Sequence, residues 1–216
     1  MCHNKPRNEV TMKEIYDTKK IQQVLNDYPI LDYFDDHDYA FFIIEYEEGE
    51  TIIHPLKTTK YLLFNLQGTI QIHSILIDGS NYLITSSDDF TMLGDMEFVK
   101  KEKPVFFATA KTEVTMLALD IESHQEKLEK DISFLHFLLQ SLAKKITHSS
   151  LDHTANSLEE KLIRYIHYQC DQGILTNIEE TATLLHCSRR QLQRILKQLC
   201  DENKLTKIKK GTYRLN

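Results

Sequence analysis

The chain has 216 residues, 41% hydrophobic and 27% charged, enough for two small domains with separate cores. No apolar run approaches the roughly 18 residues that cross a bilayer, and the polar start Met1-Cys2-His3-Asn4-Lys5-Pro6-Arg7 lacks the apolar stretch of a signal peptide. A cytoplasmic protein without a membrane partner is therefore expected. The net charge of −6 is unevenly spread, because residues 1–150 carry 15 Lys/Arg and 24 Asp/Glu while residues 151–216 carry 11 and 8.

Residues 1–12 are polar and expected to be loosely ordered. Residues 13–27 carry Ile15, Tyr16, Ile21, Val24 and Leu25, which predicts one helix, ended by Pro29. A further turn is expected within residues 30–38. Over residues 39–120 the pattern changes to short β-branched and aromatic runs separated by turn signals. The runs are 41–46, 51–53, 61–66, 69–77, 81–85, 105–110 and 113–119, with Gly49, Gly68 and Asp78-Gly79 between them. A series of about eight such strands predicts an antiparallel barrel or jelly roll, a fold that can enclose a small molecule.

Residues 121–149 read as one long helix. Leu128, Ile132, Leu135, Leu139, Leu142 and Ile146 alternate spacings of four and three, which is a heptad seam. Phe134, Phe137 and Leu138 give it a second apolar face. One face is expected on the β-domain and the other on a second copy; the alternative is burial of both within one chain. Residues 148–156 are polar and read as a hinge. Ser157 opens the next helix, which carries Leu162, Ile163, Tyr165, Ile166 and Tyr168 and stops before Gly173.

Residues 178–185 form a short predicted helix capped by Thr176 or Asn177, with Glu179 and Glu180 in its first turn. A break at His186-Cys187 follows. Ser188 then caps a helix over 188–200 in which Leu192, Ile195, Leu196 and Leu199 recur on one side. Arg189, Arg190, Gln193, Arg194 and Lys197 fall largely on the other. Arg suits guanine O6 and N7, Gln suits adenine, and Lys or Arg holds phosphate. Taken alone, the helix is equally well a surface helix with a solvated face. Its setting, helix, short turn and basic second helix, is the helix-turn-helix plan. Residues 205–208 and 212–215 then flank Lys209-Lys210-Gly211 as a basic hairpin wing. From His186 onward there are 9 basic and 2 acidic residues, the local clustering of a phosphate binder.

This order resembles the cyclic-AMP receptor protein/Fnr family of bacterial transcription regulators over nearly the whole chain from about Tyr39. The densest match is Cys187-Ser188-Arg189-Arg190-Gln191-Leu192-Gln193-Arg194-Ile195-Leu196, similar to the family's recognition helix. Glu48-Gly49-Glu50, Gly68 and Leu93-Gly94-Asp95-Met96 match its glycine-marked turns. The resemblance implies an α+β chain. Residues 1–120 would form an antiparallel β-roll or jelly roll of the cyclic-nucleotide-binding kind, 121–149 a dimerisation helix and 150–216 a winged helix-turn-helix. It implies that Arg189 and Arg194 contact bases or phosphates, and that Arg190 takes a variable base-reading position. Ser188, Gln193, Lys197, Lys209 and Lys210 complete the expected DNA contacts.

The departures concern the ligand. Family members that bind cyclic nucleotides follow a Gly-Glu pair with an Arg-Ser pair. Here Asp95 replaces the Glu, and Pro104-Val105 stands where Arg-Ser would be. Proline has no N–H and neither residue brings a charge. An effector pocket is expected around Gly94, Asp95, Met96, Pro104 and Val105, and cyclic AMP is not expected in it. Lys100, Lys101 and Lys103 lie nearby and read as solvated. Cys2, Cys170, Cys187 and Cys200 are too dispersed for zinc, a disulfide framework or an iron–sulfur cluster. His54, His73 and His124 are isolated, so haem and other metals are not expected either. His186 stands where many family members place glycine.

The expected function is a homodimeric, sequence-specific DNA-binding regulator of a palindromic site. It is not an enzyme and has no resident cofactor. RNA polymerase and an unidentified small-molecule effector are admissible further partners. The alternatives are a cupin-like metal-dependent β-barrel enzyme, against which the absence of an HxH pair speaks, and a protein-interaction module using the heptad helix.

Overall fold

A computed structural model describes residues 12–76, 79–154 and 157–216, with 148–154 described by backbone alone. The chain divides into two compact units, Met1–Ala143 and Lys144–Asn216. The loose order expected of the first eleven residues lies outside the described residues, and so does Asp78 of the expected hairpin turn.

In the first unit the elements run β1 (Lys13–Ile15), α1 (Thr18–Asp27), β2 (Phe42–Tyr46), β3 (Thr51–Ile53), β4 (Tyr61–Gln67), β5 (Ile70–Ile75), β6 (Asn81–Ser87), β7 (Met92–Leu93), α2 (Asp95–Lys100), β8 (Phe107–Ala110), β9 (Val114–Asp120), α3 (Ile121–Leu128) and the start of α4 (Ile132–Thr154). The strands form two antiparallel sheets, ordered β1-β2-β9-β4-β7 and β3-β8-β5-β6.

The largely apolar, non-alternating runs of β2, β4 and β9 have a physical cause: their sheet is buried on both faces. Phe42, Ile44, Tyr46, Leu63, Val114, Met116 and Ala118 point inward and meet Ile53, Ile70, Ala108 and Ala110 of the second sheet. The alternate residues Ile43, Leu62, Phe64, Leu117 and Leu119 point the other way. There they pack on Ile30, Phe34, Tyr39, Leu128, Phe134 and Leu138. Rings carry much of this outer core: Phe34 stacks on Phe134 at 5.5 Å and Tyr33 on Phe137 at 4.0 Å.

Three expectations need correction. The helix predicted over residues 13–27 begins only at Thr18, capped by Asp17, whose carboxylate accepts from the Lys19 and Lys20 amides. Residues Lys13–Ile15 instead pair as a strand with Ile43–Glu45. The single helix over 121–149 is two helices, α3 and α4, with a break at residues 129–131. Asp131 caps α4, accepting the Phe134 amide at 2.8 Å, and Leu128 is fully buried in its own unit's core. Leu128 therefore does not belong to an exposed seam. Finally, α4 runs to Thr154, so the hinge expected over residues 148–156 is helical for all but its last two positions, which lie outside the described residues.

The second unit holds the end of α4, then α5 (Leu158–Gln169), β10 (Ile174–Leu175), α6 (Ile178–Leu184), α7 (Arg189–Asp201), β11 (Leu205–Lys209) and β12 (Thr212–Leu215). The three strands form one antiparallel sheet ordered β10-β12-β11. Its core gathers Leu162, Ile166, Leu175, Ala182, Leu185, Leu192, Leu196, Leu199, Leu205 and Tyr213. Burying each leucine contributes roughly 1.5–3 kcal/mol, so the apolar side of α7 fixes which side faces outward. Among the described residues no helix is long and apolar enough to cross a membrane.

Candidate nucleic-acid interface

The interface is built on the turn between α6 and α7. Asn177 caps α6, its side-chain oxygen accepting the Glu180 amide at 3.2 Å. At the far end His186 adopts φ +50°, the left-handed conformation. The His186 amide donates to Thr183 O and the Cys187 amide to Ala182 O, at 3.2 and 2.9 Å. These two bonds are those of a Schellman turn. Histidine thus takes the backbone shape that glycine would take more cheaply.

Ser188 then starts α7 with a complete capping box. The Gln191 amide donates to Ser188 Oγ at 3.1 Å, and the Ser188 amide donates to Gln191 Oε1 at 2.9 Å. Gln191 is thereby tied to the helix start, while the Ser188 hydroxyl keeps its proton for another acceptor. Leu192, Ile195, Leu196 and Leu199 are buried. Arg190, Gln193, Arg194 and Lys197 are exposed, and their spacing of three, four and seven lines them up along the outer face. Arg189 is also exposed and is ion-paired to Glu179 of α6 at 2.5 Å.

Beyond α7 the chain turns through Asn203, also left-handed at φ +57°. The β11–β12 hairpin follows, with Gly211 in its turn at φ +81°. Lys209 and Lys210 are exposed at this tip. Lys207 and Arg214 are exposed on opposite faces of the same hairpin, since Lys207 pairs with Tyr213 and Arg214 with Thr206. Strand β10 escapes sequence reasoning because two residues, Ile174 and Leu175, show no periodicity. Burial pushes the Cys170 thiol up to about 11 and raises that of Cys187 too.

Residues 43–131 match the family described as the cyclic nucleotide-binding domain. Solved structures are similar over most of the chain. FixK2 from Bradyrhizobium japonicum is 14% identical, with 81% of this chain and 91% of that one covered at a TM-score of 0.64. The c-di-GMP responsive global regulator CLP of Xanthomonas campestris is 15% identical, with 90% and 98% covered at 0.61. A CRP/FNR-family transcriptional regulator from Thermus thermophilus is 15% identical, with 81% and 93% covered at 0.56. No curated protein matches the sequence significantly. The fold is that of the Crp/Fnr regulators.

Within the Crp/Fnr fold, the residues expected at an effector pocket separate. Gly94 is left-handed at φ +84°, and a Cβ there would come within 2.4 Å of Tyr61 O, so only glycine lets β7 turn into α2 beside β4. Asp95 is 2% exposed. Its carboxylate accepts from the Met96 amide at 3.0 Å and from the Ser141 hydroxyl of α4 at 3.2 Å. Pro104 is buried. Met96 and Val105 instead line a shallow crevice of about 10 Å³ with Glu97, Lys100, Glu102 and Lys103. That is room for one water molecule.

The expected dimerisation residues also divide. Ile132, Leu139 and Ile146 are 63%, 63% and 66% exposed, at seven-residue spacing along α4. Leu135 and Leu142 are half-buried against the first unit's core. The candidate metal-ligating histidines are engaged elsewhere. His124 meets the Ala40 amide and Asp120 O through its two ring nitrogens. His54 and His73 pack on the edge and face of Phe107. Among the described residues no group of three or more His, Cys, Asp or Glu is placed to hold a metal ion.

Proposed function

We propose that this chain is a DNA-binding transcription regulator of the Crp/Fnr family, acting in the cytoplasm as a homodimer on a two-fold-symmetric site. The observation that carries the reading is the outer face of α7. A doubly capped helix follows a tight turn, buries one stripe, and presents Arg190, Gln193, Arg194 and Lys197 in a row. Arg190 and Arg194 suit guanine edges and Gln193 suits adenine. Lys209 and Lys210 on the wing suit phosphates, as does the Ser188 hydroxyl. The exposed line Ile132, Leu139 and Ile146 supports pairing of two copies along α4, with RNA polymerase as the further partner of an activator.

The ligand class that names the matched family, a cyclic nucleotide, does not fit the residues present. A cyclic phosphate against Asp95 and Pro104 would meet a carboxylate and a residue without an N–H. The Asp95 carboxylate is already bonded to Ser141. We therefore read cyclic AMP as absent from the mechanism, with any effector of another chemistry.

Selection from a random duplex pool tests both parts. Wild type is expected to enrich a two-fold-symmetric site with half-sites about 34 Å apart, equally with and without cyclic AMP. The Arg189→Ala/Arg194→Ala variant is expected to lose it, at roughly 1–3 kcal/mol for each base contact. Sequence-blind, salt-sensitive binding by wild type would overturn the regulator reading, and enrichment that needs cyclic AMP would overturn the second.

A further inference from the structure

We propose that Glu179 is a specificity-determining residue. Its carboxylate holds the Arg189 guanidinium across the helix-turn-helix, and the pair opens only when α7 is fully seated in a matching groove. The inference rests on the regulator reading above and adds to it a residue on the helix that does not itself read bases.

Arg189 differs from its neighbours. It is ion-paired to Glu179, whereas among the described residues Arg190, Arg194 and Lys197 have no ion-pair partner. The first cation of the recognition helix is thus already neutralised within the protein, while those further along the face are ready for DNA. Both partners are open to solvent, with side chains 60% and 65% exposed. Exposed pairs change an equilibrium constant by no more than about fivefold, so this bridge is exchangeable. It is not what holds the two helices together. That work falls to Ala182, Leu185, Leu192 and Leu196 in the core and to the two turn bonds at His186 and Cys187.

An exchangeable internal counterion acts differently on right and wrong DNA. On a mismatched duplex α7 sits loosely and Arg189 stays with Glu179, so the pair meets the backbone with no net charge. On a matching duplex the contacts of Arg190, Gln193 and Arg194 draw the helix in. Arg189 then exchanges the carboxylate for DNA, and its new contact offsets the opening. The cost of opening falls on the matched complex alone, so Glu179 weakens that complex more than the mismatched one and sets how far the two differ.

The test measures affinity for a selected site and for a scrambled duplex by fluorescence anisotropy across a salt series. Proteins compared are wild type, Glu179→Gln, Arg189→Ala and the double variant. Glu179→Gln is expected to strengthen binding to the selected site roughly two- to fivefold and to the scrambled duplex by less than twofold. In the Arg189→Ala background that difference is expected to vanish. Equal strengthening on both duplexes would overturn the inference by reducing Glu179 to a general repulsive charge. Additive effects of the two substitutions would overturn it by removing the coupling. Wild type that does not discriminate between the duplexes would overturn the regulator reading as well. Discrimination by wild type that Glu179→Gln leaves unchanged would overturn this inference alone. Urea unfolding of the variant is expected to match wild type, which separates the effect from folding.

Discussion

Two aspartates 96 positions apart decide where the longest helix begins. Asp131 accepts the Asp35 amide through both its oxygens at 3.0 Å, together with the Tyr39 hydroxyl and the Phe134 amide. Asp35 in turn accepts the Ile132 and Ser133 amides and the Ser133 hydroxyl, the last at 2.6 Å. The first amides of α4, which no helix can satisfy internally, are thus met by these carboxylates. The Ser133 hydrogen bonds hold the Asp35 carboxyl below its ordinary value of 3.8. A carboxylate with a lowered folded pKa stabilises the fold above its ordinary value, and that contribution fades as pH falls through its folded value. Ser133→Ala should therefore lower the urea midpoint near neutrality, with a deficit that shrinks below about pH 4. A deficit independent of pH would show that the hydroxyl acts by packing alone. No local pattern announces such a lock. Asp131 alone reads as one more polar residue in a heptad, because its partner comes from another part of the chain.

At the scale of elements, what could be read in advance is what local chemistry determines. Ser188 and Gln191 are three residues apart and cap α7 without help from elsewhere, and the period of Leu192, Ile195, Leu196 and Leu199 is a property of the helix itself. Helix α7 is legible for that reason. Lys13–Ile15 is not, because its extended form comes from pairing with β2, and β7 is too short to show a period. The end of α7 is hard to read for another reason. It closes through Asn203, whose amide donates to Cys200 O while the Lys204 amide donates to Leu199 O. Asparagine accepts the left-handed conformation better than most residues, so the stop signal is real but weaker than glycine's. Asn203→Ala should cost about 1 kcal/mol of stability and Asn203→Gly close to nothing, measured by thermal unfolding. Equal losses in both would point to the Asn203 side chain rather than its backbone.

For the whole molecule, the exposed face of α4 is the feature that bears on assembly. Ile132, Leu139 and Ile146 lie on it, while Phe134 and Leu138 are buried in the first unit. Leu139→Glu is expected to convert a dimer to a monomer in sedimentation, with stability changed by about 0.5 kcal/mol or less because the side chain is exposed in a single chain. A variant that stays dimeric would move the contact elsewhere. The narrowness of that line has a consequence of its own. Each aliphatic side chain contributes roughly 1.5–3 kcal/mol when covered, against an association cost of about 4–15 kcal/mol. Two copies paired along this line would each bury three such side chains among the described residues, a gain of the same order as that cost, so the pair would come apart on dilution. Occupancy of a site that requires two copies then scales with the square of the free chain, so halving the amount of protein lowers it about fourfold. Synthesis and degradation of the chain would then act as an input signal in their own right, read directly by mass action.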